Sequence, residues 1–349
     1  MKKLMLHELL NDPLYFPFQL IRGQKISYLR ISEDTFIKSP FLDTRILQGG
    51  DRKFLYANSM EVANNLKEVK VESKKRLIHI FHISHVGSTF VAKLLESSND
   101  TKVLREPNIL RDLTREYSEM NQFSSEYKKS ELDLLLNGIL KSFLSGDRSK
   151  VILKHTSGNL SLPIACKTID NIGQKEILLF TDLESFLSHS IASDGLRSDA
   201  ETNAKTRLRY FNDICLSNHL NLSNLKLIEK VSLIWMVEFS RMLSRKISNA
   251  DALLINFDSD FQEKNKEETI RKIVQLIDDD ISDIDRIMSR RDWNINPKNG
   301  KEFSFRDRED AIMKNYLSSK IEINETVNWV EGICKQEPYL MPLINYIRN

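Results

Sequence analysis

Cysteine is scarce in this chain: Cys166, Cys215 and Cys334 are the only three in 349 residues, widely separated and odd in number. That spacing excludes a disulfide framework and a paired CxxC zinc site, and no metal is expected. A charge excess of either sign is also missing, because 51 basic and 49 acidic side chains leave a formal charge of +2. No global field therefore recruits nucleic acid or an anionic membrane, and any cationic site has to be local. Long apolar runs are absent too: no window reaches the roughly 18 uninterrupted apolar residues of a membrane span. The N-terminus opens with Lys2 and Lys3 as a signal peptide can, but His7, Glu8, Asn11 and Asp12 break its apolar stretch. Export is not expected, and a reducing cytoplasm is the expected location. Internal repeats and low-complexity segments are missing as well.

What is present is a sizeable potential core, with 41% hydrophobic residues, enough for one large domain with additions or two small ones. Short apolar runs such as Val151–Leu153 and Ile177–Phe180 alternate with amphipathic stretches. The alternation predicts strands at 77–84, 101–105, 150–154, 176–181 and 252–257. Helices are predicted at 88–98, within 108–144, and at 159–170, 182–195, 225–246, 266–278, 306–318 and 323–336. Strands buried on both faces and linked by helices imply a three-layer α/β/α fold with a mostly parallel sheet. Ahead of them, residues 3–11 suggest a short helix, Tyr15–Leu20 and Lys25–Ile31 two strands around Arg22-Gly23, and 56–70 a helix. The expected organisation is a cap over 1–75, an α/β domain over 76–300 and a helical extension over 301–349. Trp235, Met236 and Phe239 recur at helical spacing and are assigned to the core. His79 and His82, in an apolar strand without acidic or Cys partners, are assigned there as well.

The stretch Leu77–Glu96 carries the strongest chemical signal. An apolar run ends in Gly87-Ser88-Thr89 and an amphipathic helix begins at once. Strand, tight loop and helix together aim unpaired N–H groups, the positive end of the helix dipole and two hydroxyls at one point, which suits a phosphate or sulfate. The loop is not a Walker A motif, which needs a glycine where His82 stands and a lysine where Ser88 stands. Lys93 lies too far along the helix to replace that lysine. Ordinary ATP or GTP hydrolysis is therefore not the expected chemistry.

Ser84-His85-Val86-Gly87-Ser88-Thr89-Phe90 resembles the phosphosulfate-binding loop of the sulfotransferases, typically Pro-Lys-Ser-Gly-Thr-Thr-Trp. The resemblance is nearer to a bacterial sulfotransferase-like group whose loop ends in Ser-Thr-Leu-Leu-Ala-Arg, with a Glu-Pro after the second strand. Here those read Ser88–Lys93 and Glu106-Pro107. Pro40–Arg45, Leu104–Leu110, Ile152–Thr156 and Leu178–Leu183 match the same group in order, so the likeness spans about residues 40–300. It implies a P-loop-like fold and transfer of a sulfuryl group from 3′-phosphoadenosine 5′-phosphosulfate to a small-molecule acceptor, with no metal. Two positions depart from the pattern: His85 replaces the loop lysine and Thr181 the arginine that ends the next binding strand.

Carried residue by residue, the resemblance implies phosphosulfate contacts from His85, Val86, Gly87, Ser88, Thr89 and Phe90. His85 would contact the leaving-group oxygen, and Glu106 would be the base on the acceptor. Lys154 and His155 form a second cluster at a strand end, the lysine for phosphate or substrate and His155 as an alternative base. Asp182, Ser188 and Ser190 fall where the family holds the 3′-phosphate, with Arg197, Arg207 or Arg209 to supply the missing cation. Lys298, in the late Asn/Pro/Gly-rich turn with Lys301, would close over the nucleotide. The residues alone leave three readings open: a sulfotransferase, a divergent nucleotide-dependent kinase, or a non-catalytic binding protein of the same fold. No partner nucleic acid or membrane is expected, and neither the acceptor nor the oligomeric state is encoded in a motif.

Overall fold

Five short apolar segments form one mostly parallel sheet flanked by helices, as the alternation predicts. The computed structural model describes residues 6, 9–10, 12, 14–32, 35–36, 39–47, 53–96, 100–120, 125–163, 172–217, 219–277, 282–295, 302 and 304–348. The sheet strands are β4 (Arg76–His82), β5 (Thr101–Arg105), β6 (Lys150–Lys154), β7 (Gly173–Phe180) and β8 (Leu253–Asn256), in the order β5-β6-β4-β7-β8. β4–β6, β5–β6 and β7–β8 pair in parallel. β4 buries its last six residues, as a strand covered on both faces must. β5 and β6 follow β4 on one side, whereas β7 and β8 lie on the other. The order therefore reverses at the C-terminal end of β4, the switch point where open α/β sheets bind ligands.

The chain divides into two compact units. One comprises Met1–Ile80 with Val91–Glu176, the other Phe81–Phe90 with Ile177–Asn349. In the first, β1 (Tyr15–Ile21), β2 (Lys25–Arg30) and β3 (Phe54–Asn58) make an antiparallel sheet in the order β1-β2-β3. The Arg22–Gln24 turn runs through Gly23 at φ 78° and Gln24 at φ 53°, which bends the hairpin as Arg22-Gly23 suggests. β3 corrects the single helix expected at 56–70. The strand ends at Asn58, whose side chain accepts from Met60 N and Glu61 N and so starts α1 (Ser59–Lys67). Of the helix expected at 3–11, residues 6, 9 and 10 are helical and the rest lie outside the described residues. Helices α3 (Asn108–Met120) and α4 (Lys129–Phe143) complete the unit, with Phe16 stacked on Phe143 at 5.4 Å. Each large apolar side chain buried this way contributes about 1.5–3 kcal/mol.

The second unit holds α5 (Leu183–Ile191), α6 (Asp194–Ile214), α7 (Leu227–Ser248), α8 (Phe257–Asp260), α9 (Lys266–Leu276), α10 (Ser282–Met288), α11 (Phe305–Ser318) and α12 (Lys320–Gln336). The single helix expected at 182–195 is instead two, because the Ser193 side chain accepts from Leu196 N and caps a new start. The expected helix at 159–170 is a short 3-10 turn, Ser157–Ser161, and residues 164–170 lie outside the described set. Trp235, Met236 and Phe239 are fully buried, Phe239 stacking on Phe180 at 4.6 Å. α2 (Ser88–Leu95) follows the loop after β4.

Candidate anion-binding site

The segment between β4 and α2 is held open by two residues in the left-handed region, His85 at φ 62° and Gly87 at φ 69°. Glycine adopts this conformation without strain, whereas a histidine there stores strain of the kind that gathers at functional sites. Gly87 has a second reason to be glycine. A Cβ on it would stand 2.1 Å from Cε2 and Cζ of Phe257, so the aromatic ring lies flush against the backbone of the bend. The entry to the loop is pinned as well: Ser84 donates its backbone N–H at 2.9 Å and its hydroxyl at 3.2 Å to Glu238 Oε2 on α7. Arg207 on α6 bonds Asp199 at 2.7 Å and Glu238 at 3.4 Å.

With Ser84 committed to Glu238, the donors left for a ligand are those further on. Ser88 and Thr89 begin α2, whose first N–H groups have no intrahelical acceptor. Both side chains are 5% exposed, and among the described residues neither hydroxyl has a hydrogen-bond partner. Buried hydroxyls normally find one, so the pair is short of an acceptor. The Val86 side chain is fully buried and anchors the loop in the core, leaving only its backbone to serve a ligand. Phe90 is half-buried and meets Phe257, Phe261 and Trp293 edge-on at 6.1, 5.9 and 5.2 Å. These rings form a rigid backing to the cradle.

Behind Phe257 lies a buried polar cluster. Arg308 of α11 donates from Nε to Asp258 Oδ1 at 2.7 Å and sits 5.2 Å over the Phe257 ring. The other Asp258 oxygen accepts from the Thr181 hydroxyl. Thr181 thus takes part in holding Asp258, and the arginine of this unit that reaches its strand end is Arg308, 127 positions later in the chain. Arg197 pairs with Asp194, and Arg209 lies 5.1 Å over Tyr210.

Asp182 caps α5 by accepting from Ser185 N at 2.8 Å. Burial pushes its carboxyl up to about 6, and the Asp258 charge adds to this. Ser188 and Ser190 donate to the carbonyls of Glu184 and Phe186 one turn back, at 2.8 and 2.5 Å. Both hydroxyl protons are therefore committed within α5. The same helix brings His189 to the loop, its ring centroid 5.6 Å from that of His85.

In the first unit, Glu106 follows β5 with φ 54° and bridges two cations. Its carboxylate accepts from Lys154 Nζ and, at 2.8 Å, from Arg45. Arg45 also bonds Asp43 and lies 3.3 Å over the Phe41 ring. Burial works against the Arg45 charge, but the hydrogen bond to Asp43 and the field of Glu106 outweigh it and raise its pKa. Burial likewise works against the Asp43 anion, and its bonds to Arg45 prevail and lower its pKa. Lys154 is 1% exposed. Glu106→Ala is expected to cost about 3 kcal/mol or more by leaving that ammonium buried beside an empty space, read as a lower denaturant midpoint. Glu106→Gln, which keeps an acceptor, should cost less.

His155 is fully buried and turned to a different network. Its Nε2 is 2.9 Å from His79 Nδ1, His79 Nε2 is 3.2 Å from Gln174 Oε1, and Asn159 Nδ2 is 3.4 Å from His155 Nδ1. Gln174 Oε1 can only accept, so one arrangement of neutral rings satisfies every contact: Asn159 to His155 to His79 to Gln174. His79 and His82 are buried, as the apolar strand implies.

The structure thus brings Glu106 and Lys154 together, separates His155 from them, and gathers His85 to Phe90 with α5. Lys298 and Lys301 lie outside the described residues. Among the described residues no group of three or more His, Cys, Asp or Glu could hold a metal, and no helix is long and apolar enough to cross a membrane. Sequence reasoning missed Glu238, Phe257, Arg308 and the role of His189. Asn256-Phe257-Asp258 at the end of the fifth strand was the one local signal for two of the contacts.

No family model and no curated protein matches the chain. Among solved structures, mouse sulfotransferase SULT7A1 complexed with PAP aligns over 84% of this chain and 97% of its own, at 13% identity and a TM-score of 0.39. Sulfotransferase STF9 from Mycobacterium avium aligns over 74% and 80%, at 10% identity and 0.39. The sulfotransferase domain of the curacin biosynthetic pathway aligns over 70% and 90%, at 10% identity and 0.36. What the site does is decided by its own residues.

Proposed function

We propose that the chain is a sulfotransferase-type protein that seats the phosphosulfate end of 3′-phosphoadenosine 5′-phosphosulfate on the Ser84–Thr89 loop and transfers sulfuryl to a small-molecule acceptor. The observation that carries the reading is the pair of partnerless, 5% exposed hydroxyls of Ser88 and Thr89 at the opening of α2. Sulfuryl transfer needs fixed donors on the oxygens of the moving group and charge relief at the leaving phosphate, and positioning supplies most of the effect. The loop amides and hydroxyls fit the first need, and His85 fits the second when protonated. Glu106 and Lys154 are the proposed proton-handling pair, with Glu106 exchanging a cation for the acceptor hydroxyl. Location in the cytoplasm is part of the same proposal.

Calorimetry with adenosine 3′,5′-bisphosphate tests it. Ser88→Ala and Thr89→Val should each weaken binding about tenfold or more, the worth of a hydrogen bond to a charged group. Binding of ATP with Mg²⁺ but not the bisphosphate would favour the kinase reading, and indifference to both substitutions would remove the loop from the site. A binding protein without turnover is favoured by one observation: the Glu106 carboxylate is already clamped by Lys154 and Arg45. Tight bisphosphate binding without sulfuryl transfer to any acceptor class would decide for it.

A further inference from the structure

The loop of the second unit carries a second imidazole. His85 is half-buried and left-handed at φ 62°, and the half-buried His189 in the last turn of α5 faces it with ring centroids 5.6 Å apart and planes tilted by 49°. Beside them stand Ser88 and Thr89, whose 5% exposed hydroxyls lack acceptors. Two imidazolium ions at this separation repel by about 1–3 kcal/mol across the range from water to a protein surface. A dianion placed between them reverses the sign of that interaction.

We propose that His85 and His189 form an imidazole clamp over the loop, which takes a dianionic tetrahedral group together with about one proton. The inference rests on the reading of this loop as an anion site and adds what the site selects: two negative charges rather than one. His189 enters as a ligand-contacting, specificity-determining residue. Ligand raises the pKa of the clamp, so the bound state holds the extra proton. Affinity is full below the imidazole range and falls as pH rises through it.

The other charged groups around the clamp are accounted for. Glu238 on α7 is bonded to Ser84 and Arg207, and Arg207 on α6 is shared with Asp199. Asp258 after β8 is bonded to Arg308 of α11 and to Thr181. Asp182, the cap of α5, is pushed by burial to about 6 and titrates in the same window, so it needs its own control.

Sulfate is the probe, because its charge is constant across the window, and calorimetry at several values between about pH 5.5 and 8 is the measurement. Wild-type affinity should fall about tenfold or more from pH 6 to 8, one proton being coupled above an imidazole pKa near 6.5. His85→Lys should bind with a flatter profile. His189→Gln should bind more weakly at pH 6 and with a shallower slope, and Asp182→Asn should keep the wild-type slope. A flat wild-type profile, with binding still lost in Ser88→Ala, would overturn the clamp while leaving the anion site standing. A slope lost in Asp182→Asn but kept in His189→Gln would also overturn it. Sulfate binding unaffected by Ser88→Ala and Thr89→Val would remove the loop reading and the clamp together.

Discussion

Gly87→Ala should lose about 3 kcal/mol of stability and nearly all bisphosphate binding. Two effects add. The left-handed φ of 69° costs an alanine about 1 kcal/mol, and the new methyl would stand 2.1 Å from the Phe257 ring. Overpacking of this kind typically costs a further 1–3 kcal/mol, because either the ring or the loop has to move. A moved loop no longer aims the Ser88 and Thr89 amides at one point, so affinity should fall further than stability alone requires. Denaturant midpoints and calorimetry measure the two separately. Gly87→Ala with Phe257→Leu should recover part of the stability, since the clash is relieved and the backbone strain is not. Full binding by Gly87→Ala alone would show that the bend does not hold the ligand.

Asp258→Ala should be at least as damaging to stability. Arg308 is 9% exposed and bonds Asp258 through Nε, so removing the carboxylate strands a buried guanidinium at a cost of about 3–5 kcal/mol. The Thr181 hydroxyl loses its acceptor in the same step. Asp258→Leu combined with Arg308→Met should recover much of the loss, because a buried ion pair replaced as a unit by apolar groups is close to neutral. Thermal or denaturant unfolding of the two singles and the double gives the coupling directly. Additive losses would mean that the two side chains do not act as a pair. Arg308 also lies over Phe257, so the double variant tests whether the backing of the loop depends on the charge or only on the packing.

Much of the frame was legible from local pattern. β5 and β6 have the bounds expected from their apolar runs, and α7 and α11 begin within two residues of the expected positions. Such elements are readable because burial on both faces, or on one helical stripe, writes its period directly into consecutive residues. The misses were also local. β3 was hidden in a run that reads equally as helix until the Asn58 cap is seen, and the Ser193 cap splits a stretch that hydropathy alone leaves continuous. Within the site, the loop and the strand-end Glu106 and Lys154 could be named from spacing. Their partners could not: the tie of Glu106 to Arg45 bridges 61 positions and that of Ser84 to Glu238 bridges 154.

The sequence by itself determined an alternating α/β chain with a helix opening on Gly87-Ser88-Thr89, because hydrophobic period, glycine and helix-opening hydroxyls act over a few residues. Only the tertiary structure decided what surrounds that opening. Glu238 holds its entry, Phe257 covers its bend, His189 faces His85, and His155 is withdrawn into a buried chain of amides and imidazoles. Those choices depend on which distant surfaces pack together, and a carboxylate, ring or imidazole carries no mark of its partner until the helices that bear it are in place.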